Sequence, residues 1–172
     1  MTAPPVTTDV VYAILGVDES SPIASIRNQK PEQIEALQTY YQSIFEPESV
    51  SAEQFSVADR ALVATRVASH TGSTAVADWY AKLAIESGAP EEHVRKVRDV
   101  ESAWTDASWL GASIRRADRI TLEPASAEAE HIAELAAAGL TPAAILSLSQ
   151  VIAFVSYQVR FIAILRAIGG LV

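Results

Sequence analysis

From Leu135 to Val159 the chain carries no charged residue, and the turn signal "GLTP" at 139–142 is its one clear break. So long an apolar stretch has to be hidden in a bilayer, in a core, or between chains. Its polar content points away from a bilayer. Ser147, Ser149, Gln150, Ser156 and Gln158 lie inside it, and Arg160 and Arg166 follow on the same run. A buried helix, against a core or a subunit interface, is the expectation, with no membrane span. Thr141 is placed to cap that helix and Gly169-Gly170 to stop it.

The rest of the chain shows the same helical period broken by glycine and proline. "PEQIEALQTYYQSIFE" puts Ile34, Leu37, Tyr41, Ile44 and Phe45 on one side, with Pro31 suited to a first turn. After the polar connection "EPESVSAEQF", Ser56 and Asp59 have capping-box spacing and open "VADRALVATRVAS", whose stripe is Val57, Ala61, Ala64 and Val67/Ala68. Gly72 breaks that helix, and a second runs from about Thr74 to Ser87. Gly88 gives a left-handed exit and Pro90 opens the next helix, with Glu91 and Glu92 near its positive end. "SAWTDASWLGASIRRADRI" reads as one helix with Ala103, Ala107, Leu110, Ile114 and Ala117 on a stripe, closed by "LEPAS". "AEAEHIAELAAAG" adds a short helix before the long last one.

"AIESGAPEEHV" (84–94) and "LAAAGLTPAAI" (135–145) form a weak internal repeat, which common capping chemistry also explains. The first thirty residues are turn-rich and read as an irregular arm with at most a short helix. "TTDVVYAIL" is the sole period-2 candidate for a strand. The expected organisation is an arm over residues 1–30 and one helical domain over 31–172. The fold class is all-α: a multi-helix bundle of antiparallel helices with short turns.

Composition removes several function classes. A chain of 172 residues can bury about 70% of its unfolded surface as one domain. A net charge of −8, with only 13 scattered Lys and Arg, offers no basic stripe to a nucleic acid. The absence of cysteine excludes disulfides, thiolate nucleophiles and cysteine-ligated metal. The N-terminus has no basic segment followed by a long apolar one, so a cytoplasmic protein is expected.

The helix–elbow–helix run "SVADRALVATRVASHTGSTAVADWYAKLAIESGAPEEHV" resembles the core of the carboxymuconolactone decarboxylase / AhpD-like alkylhydroperoxidase superfamily. "RADRITLEPASAEAEHIAELAAAGLTPAAILSLSQVIAFVSYQVRFIAILRAIG" is similar to a later segment of the same superfamily, and "SIRNQKPEQIEALQTYYQSIFEP" to the leader of a peroxidase-related subfamily lacking the thiol pair. Together they span roughly residues 25–170. Peroxidase-type members carry Cys-x-x-Cys at the elbow, a glutamate twelve residues upstream and a histidine four after the second cysteine. Counted from Gly72, those positions fall on Ser73 and Val76, on Ala61, and on Tyr80. All four differ. A serine hydroxyl is far too weakly acidic to replace a thiol and valine can resolve nothing, so the family's thiol route to peroxide reduction is closed.

The elbow nevertheless concentrates polar groups: His70, Thr71, Ser73, Thr74, Asp78 and Tyr80. One reading makes His70 a general base beside Asp78 or Tyr80, acting on a lactone or carbonyl compound as decarboxylase-type relatives do. The plainer one has these groups satisfy the backbone at the Gly72 break, with Asp78 solvated, and spacing alone fixes no pair against it. A Ser73–His70 nucleophile pair lacks the strand–turn–helix setting such serines need. His70, His93 and His131 sit on separate helices without ligand spacing, so neither metal nor other cofactor is expected. Trp79 could line a binding cavity, though aromatics at this spacing usually pack. Arg160 is expected to be buried and paired with Asp118 or Glu123, or else to meet an anionic ligand.

Two functions follow. The preferred one is an AhpD-like protein without redox cysteines, a homo-oligomeric binding or partner module. The resemblance implies a trimer or hexamer, and a cysteine-bearing AhpD-like relative as a natural partner. The other is a cysteine-independent acid/base enzyme of decarboxylase type, using His70, Asp78 or Tyr80.

Overall fold

The computed structural model describes residues 9–47 and 54–170. Much of the polar connection after residue 46, the first residues of the N-terminal arm and the last two of the chain lie outside the described residues. Among the described residues every regular element is helical: α1 (Val10–Leu15), α2 (Pro22–Arg27), α3 (Pro31–Phe45), α4 (Val57–His70), α5 (Thr74–Glu86), α6 (Glu91–Arg98), α7 (Trp109–Leu122), α8 (Ala129–Ala137) and α9 (Pro142–Gly169), with a single 3-10 turn at Pro124–Ser126.

α4 is the hub. It starts on the capping box read from sequence, in which the Ser56 hydroxyl accepts from the Asp59 N–H and the Asp59 carboxylate accepts from the Ser56 N–H. Helices α3, α5, α6, α7 and α9 all pack on it. Its amphipathic stripe therefore understates its burial: every residue from Arg60 to Ala68 is buried. The polar members of that run need internal partners. Thr65 Oγ1 donates to Ala61 O at 2.7 Å, and Arg60 donates to Phe55 O at 3.1 Å and Ile44 O at 2.6 Å. Opposite lies an aromatic cluster of Tyr41, Phe45, Tyr80 and Phe154, with Phe45 and Tyr80 centroids 4.8 Å apart.

The uncharged C-terminal run becomes α9, capped by Thr141 Oγ1 accepting from Ala144 N–H at 3.2 Å. Its length and composition alone would suffice to cross a membrane. In this fold it packs along α4, with α2, α3, α7 and α8 beside it, and 44% of its most apolar window is buried. Leu148, Val151, Val155, Gln158 and Ile162 face inward at helical spacing. Leu146, Tyr157 and Ile164 stay exposed.

Two expectations are corrected. From residue 10 on the N-terminal segment forms two short helices, α1 and α2, joined by turns, in place of a strand; Val10, Val11, Ile14 and Ile23 enter the common core and Ala24 is buried. Asp9 accepts from the N–H groups of Val11 and Tyr12, and Ser21 Oγ from that of Ala24, so strong caps outweigh the short length of each helix. α7 begins at Trp109, well after the start of its sequence stripe; Ala103 and Ala107 lie outside it and are exposed. Ser108 caps α7 by accepting from Gly111 N–H at 3.0 Å, while Arg115 reaches back to the carbonyls of Trp104 (2.9 Å) and Asp106 (2.8 Å), holding this segment non-helical.

That cap makes Gly111 a position where a side chain does not fit. A Cβ there would stand 2.6 Å from the Asp106 carbonyl oxygen and 2.6 Å from its Oδ1. Gly→Ala in a helix usually stabilises by about 1 kcal/mol. Gly111→Ala is expected to reverse that sign and destabilise by about 1–3 kcal/mol, as overpacking does. Chemical denaturation tests it, and a gain in midpoint would show that the 104–108 segment moves freely.

Candidate functional site

The elbow joins α4 to α5 through Thr71, Gly72 and Ser73, with Gly72 in the left-handed region at φ +70°. The carbonyls freed at the end of α4 are taken up locally. Ser73 N–H donates to Ala68 O at 3.2 Å, Gly72 N–H to Ser69 O at 3.1 Å, and Thr71 Oγ1 to Ala68 O at 2.8 Å. The helix end is thus closed by backbone groups and the Thr71 hydroxyl. Ser73 occupies the N-cap position of α5 but its side chain caps nothing.

His70 goes elsewhere. Its Nε2 lies 2.8 Å from Asp118 Oδ1, on α7, and its side chain is 8% exposed. The same carboxylate receives Arg66 as a fork, Nε to Oδ1 at 2.6 Å and Nη2 to Oδ2 at 3.1 Å. A carboxylate only accepts, so His70 presents Nε2 as a donor. Arg66 also donates to the carbonyls of Asp99 (2.6 Å), Val100 (3.3 Å) and Ser102 (3.3 Å). This one guanidinium, 2% exposed, ties α4, α7 and the segment after α6 together.

The remaining candidates point in other directions. Asp78 is exposed and accepts from Arg98 Nη2 at 2.6 Å, a surface pair worth about 0–1 kcal/mol. Tyr80 is wholly buried and donates to Gln158 Oε1 at 2.7 Å. Burial, and secondarily the neighbouring Tyr41, push its phenol well above the ordinary value. Gln158 is also fully buried, and its Nε2 has no partner among the described residues. Trp79 is half-buried and donates from Nε1 to Tyr41 Oη at 3.3 Å. The structure thus brings none of His70, Ser73, Asp78 and Tyr80 to a common cavity; His70 faces α7, Asp78 faces outward, and Tyr80 faces α9.

Arg160 is a correction. It is exposed, its Nη1 donating to Ser156 O at 3.0 Å, and Asp118 is engaged with Arg66 and His70. Position 160 follows 153 and 157 around the outer face of α9, whereas the inward polar position is 158. The sequence contained two signals for what was missed: Arg66 and His70 share one face of α4 at i, i+4, and Asp118 is the one acidic residue within α7.

Three of the positions where the resemblance places catalytic groups are closed hydrocarbon or phenol. Ala61, Val76 and Tyr80 are each 0% exposed, and the fourth is the Ser73 hydroxyl. The other histidines are occupied separately: His93 stands edge-on to Trp104 at 5.8 Å, and His131 Nδ1 accepts from Glu128 N–H at 3.2 Å. Among the described residues no three His, Cys, Asp or Glu side chains group as metal ligands.

Fold and site define an all-α helical bundle in a chain without cysteine. Among solved structures the chain is similar to an uncharacterised peroxidase-related protein from Silicibacter sp. TM1040, with a TM-score of 0.70 at 15% identity, covering 94% of this chain and 84% of that one. At that identity the likeness is one of fold. No family model and no curated protein matches the chain.

Proposed function

We propose that this protein is an AhpD-like helical module without thiol chemistry, working as a homo-oligomeric binding or partner protein beside peroxidase-type systems. One observation supports the reading: in a fold similar to that of a peroxidase-related protein, the positions that the resemblance makes reactive hold Ser73, Val76, Ala61 and Tyr80, three of them sealed in the core. A site that lacks sulfur cannot cycle between dithiol and disulfide.

Self-association is supported by the outer face of α9. With no charge before Arg160, it leaves Leu146, Tyr157 and Ile164 exposed, and with α3 it frames a groove of about 520 Å³ bordered by Leu37, Tyr40, Phe154 and Tyr157. A second copy of the chain is the occupant that would cover this face most economically. A trimer or hexamer is the expected assembly, and a cysteine-bearing AhpD-like relative would supply the peroxidase chemistry. The acid/base alternative has less behind it, because His70 is engaged by Asp118 and Tyr80 is out of reach of solvent.

Two measurements on the purified chain test this. Sedimentation velocity is expected to give an oligomer, and peroxide consumption with a dithiol reductant no rate above a protein-free control. A stable monomer at micromolar concentration would overturn the assembly, and robust peroxide turnover the non-thiol reading.

A further inference from the structure

A second recess lies between α7 and α9, about 310 Å³ in volume, near the smallest size typical of small-molecule sites. α7 gives it Arg116 and Ile120, one turn apart. α9 gives it Ser149, Ile152, Ala153, Ser156 and Arg160 from one stretch of its surface, and Pro124 closes an end. Its chemistry is lopsided. Two guanidiniums and two hydroxyls meet apolar walls, and no carboxylate lines it.

Arg116 is the telling member. Its Nη1 is buried and has no hydrogen-bond partner among the described residues, an expensive condition for a cationic donor. Burial and the charge of Arg119 both lower its pKa, as expected where positive charge is not neutralised. Of the acids on and beside α7, Asp118 is held by Arg66 and His70, Glu134 pairs with Arg119 at 3.5 Å, and Glu123, just before Pro124, is exposed and does not line the recess. Arg160 lines the recess with its Nη1 on the Ser156 carbonyl of its own helix at 3.0 Å and its side chain exposed to solvent. The Ser156 hydroxyl makes no hydrogen bond among the described residues.

We infer that this recess binds a small organic monocarboxylate, its oxygens held by Arg116 and Arg160 and its apolar body laid on Ile120, Ile152 and Ala153. Guanidinium forks match a carboxylate in pairs. A phosphate group suits the recess less, because both long walls are mid-helix and their N–H groups are spent within the helices, leaving no backbone donors for a third oxygen. This site goes beyond the assembly reading and is separate from the elbow. It meets the α3–α9 groove at Ala153, which lines both, and the two readings have separate readouts, sedimentation for the assembly and titration for this site.

Titration of the full chain with sodium benzoate, followed by ¹H–¹⁵N NMR, is the test. Saturable shifts are expected in residues 116–124 and 149–160, and none with benzamide over the same range. Arg160→Gln, an exposed change that leaves the fold intact, should weaken benzoate at least about tenfold, the loss of a charged hydrogen bond. Arg116→Gln should weaken it as much or more; if that variant does not fold, Arg160→Gln decides. Equal binding of benzamide would overturn the proposal, as would shifts absent from both segments, affinity unchanged in Arg160→Gln, or inorganic phosphate binding as tightly as benzoate.

Discussion

Arg66→Met is expected to destabilise the protein by about 3–5 kcal/mol, the range for breaking a buried charged pair from one side. For a chain of this size that corresponds to a melting temperature lower by roughly 10 °C, at about 2–4 °C per kcal/mol. The cause is the number of groups left without a partner. Asp118 loses both of its guanidinium bonds and keeps only His70, while the carbonyls of Asp99, Val100 and Ser102 lose their donor. Asp118 is 23% exposed and cannot simply rehydrate where it stands. The double variant Arg66→Met/Asp118→Leu should be more stable than Arg66→Met alone, since the isolated carboxylate is then gone. Arg66→Lys should fall between wild type and Arg66→Met, keeping the charge and losing the fork. Thermal and denaturant unfolding decide this. A loss below about 1 kcal/mol for Arg66→Met would mean that α4, α7 and the 99–108 segment are held by apolar contact instead.

The same residue shows where sequence reading stops. Caps and periods act over a few residues, so the Ser56–Asp59 box, the Thr141 cap and the glycine exits were legible, and the all-helical class with them. The start of α7 was not, because Ala103 and Ala107 fit its period, whereas the Ser108 cap, Arg115 reaching back from within α7 and Arg66 reaching in from α4 keep that stretch unwound. At the elbow, His70 was identifiable as a group needing a partner, but the partner stands 48 positions along the chain, beyond any spacing rule. The error at Arg160 was of another kind. Its flanks are apolar, which suggested burial, yet a strict helical period sends 151, 155, 158 and 162 inward and leaves 160 outside. Gln158 was the buried polar residue on that helix. It meets Tyr80 from across the core, in a phenol–amide bond beside the aromatic cluster.

Asp9→Ala is the second large effect, again about 3–5 kcal/mol for stranding a buried cation. Arg27 is 4% exposed and Asp9 10%, joined by Nη1 to Oδ1 at 2.5 Å and Nη2 to Oδ2 at 3.2 Å. Asp9 also caps α1, accepting from Val11 N–H at 3.0 Å and Tyr12 N–H at 3.1 Å, so its removal frees the helix end as well as the guanidinium. The partners are unequal. A stranded carboxylate can take up a proton, whereas a stranded guanidinium keeps its charge at any pH the protein survives. Asp9→Ala should therefore cost more than Arg27→Met, which leaves the cap in place. Hydrogen exchange should show the loss concentrated over residues 10–27, since α1 and α2 are short and Asp9 and Arg27 join them. If Arg27→Met proves the worse variant, the guanidinium serves chiefly through its faces, over Tyr12 at 4.6 Å and Phe161 at 5.8 Å, and the N-terminal helices are pinned to α9 by stacking more than by charge.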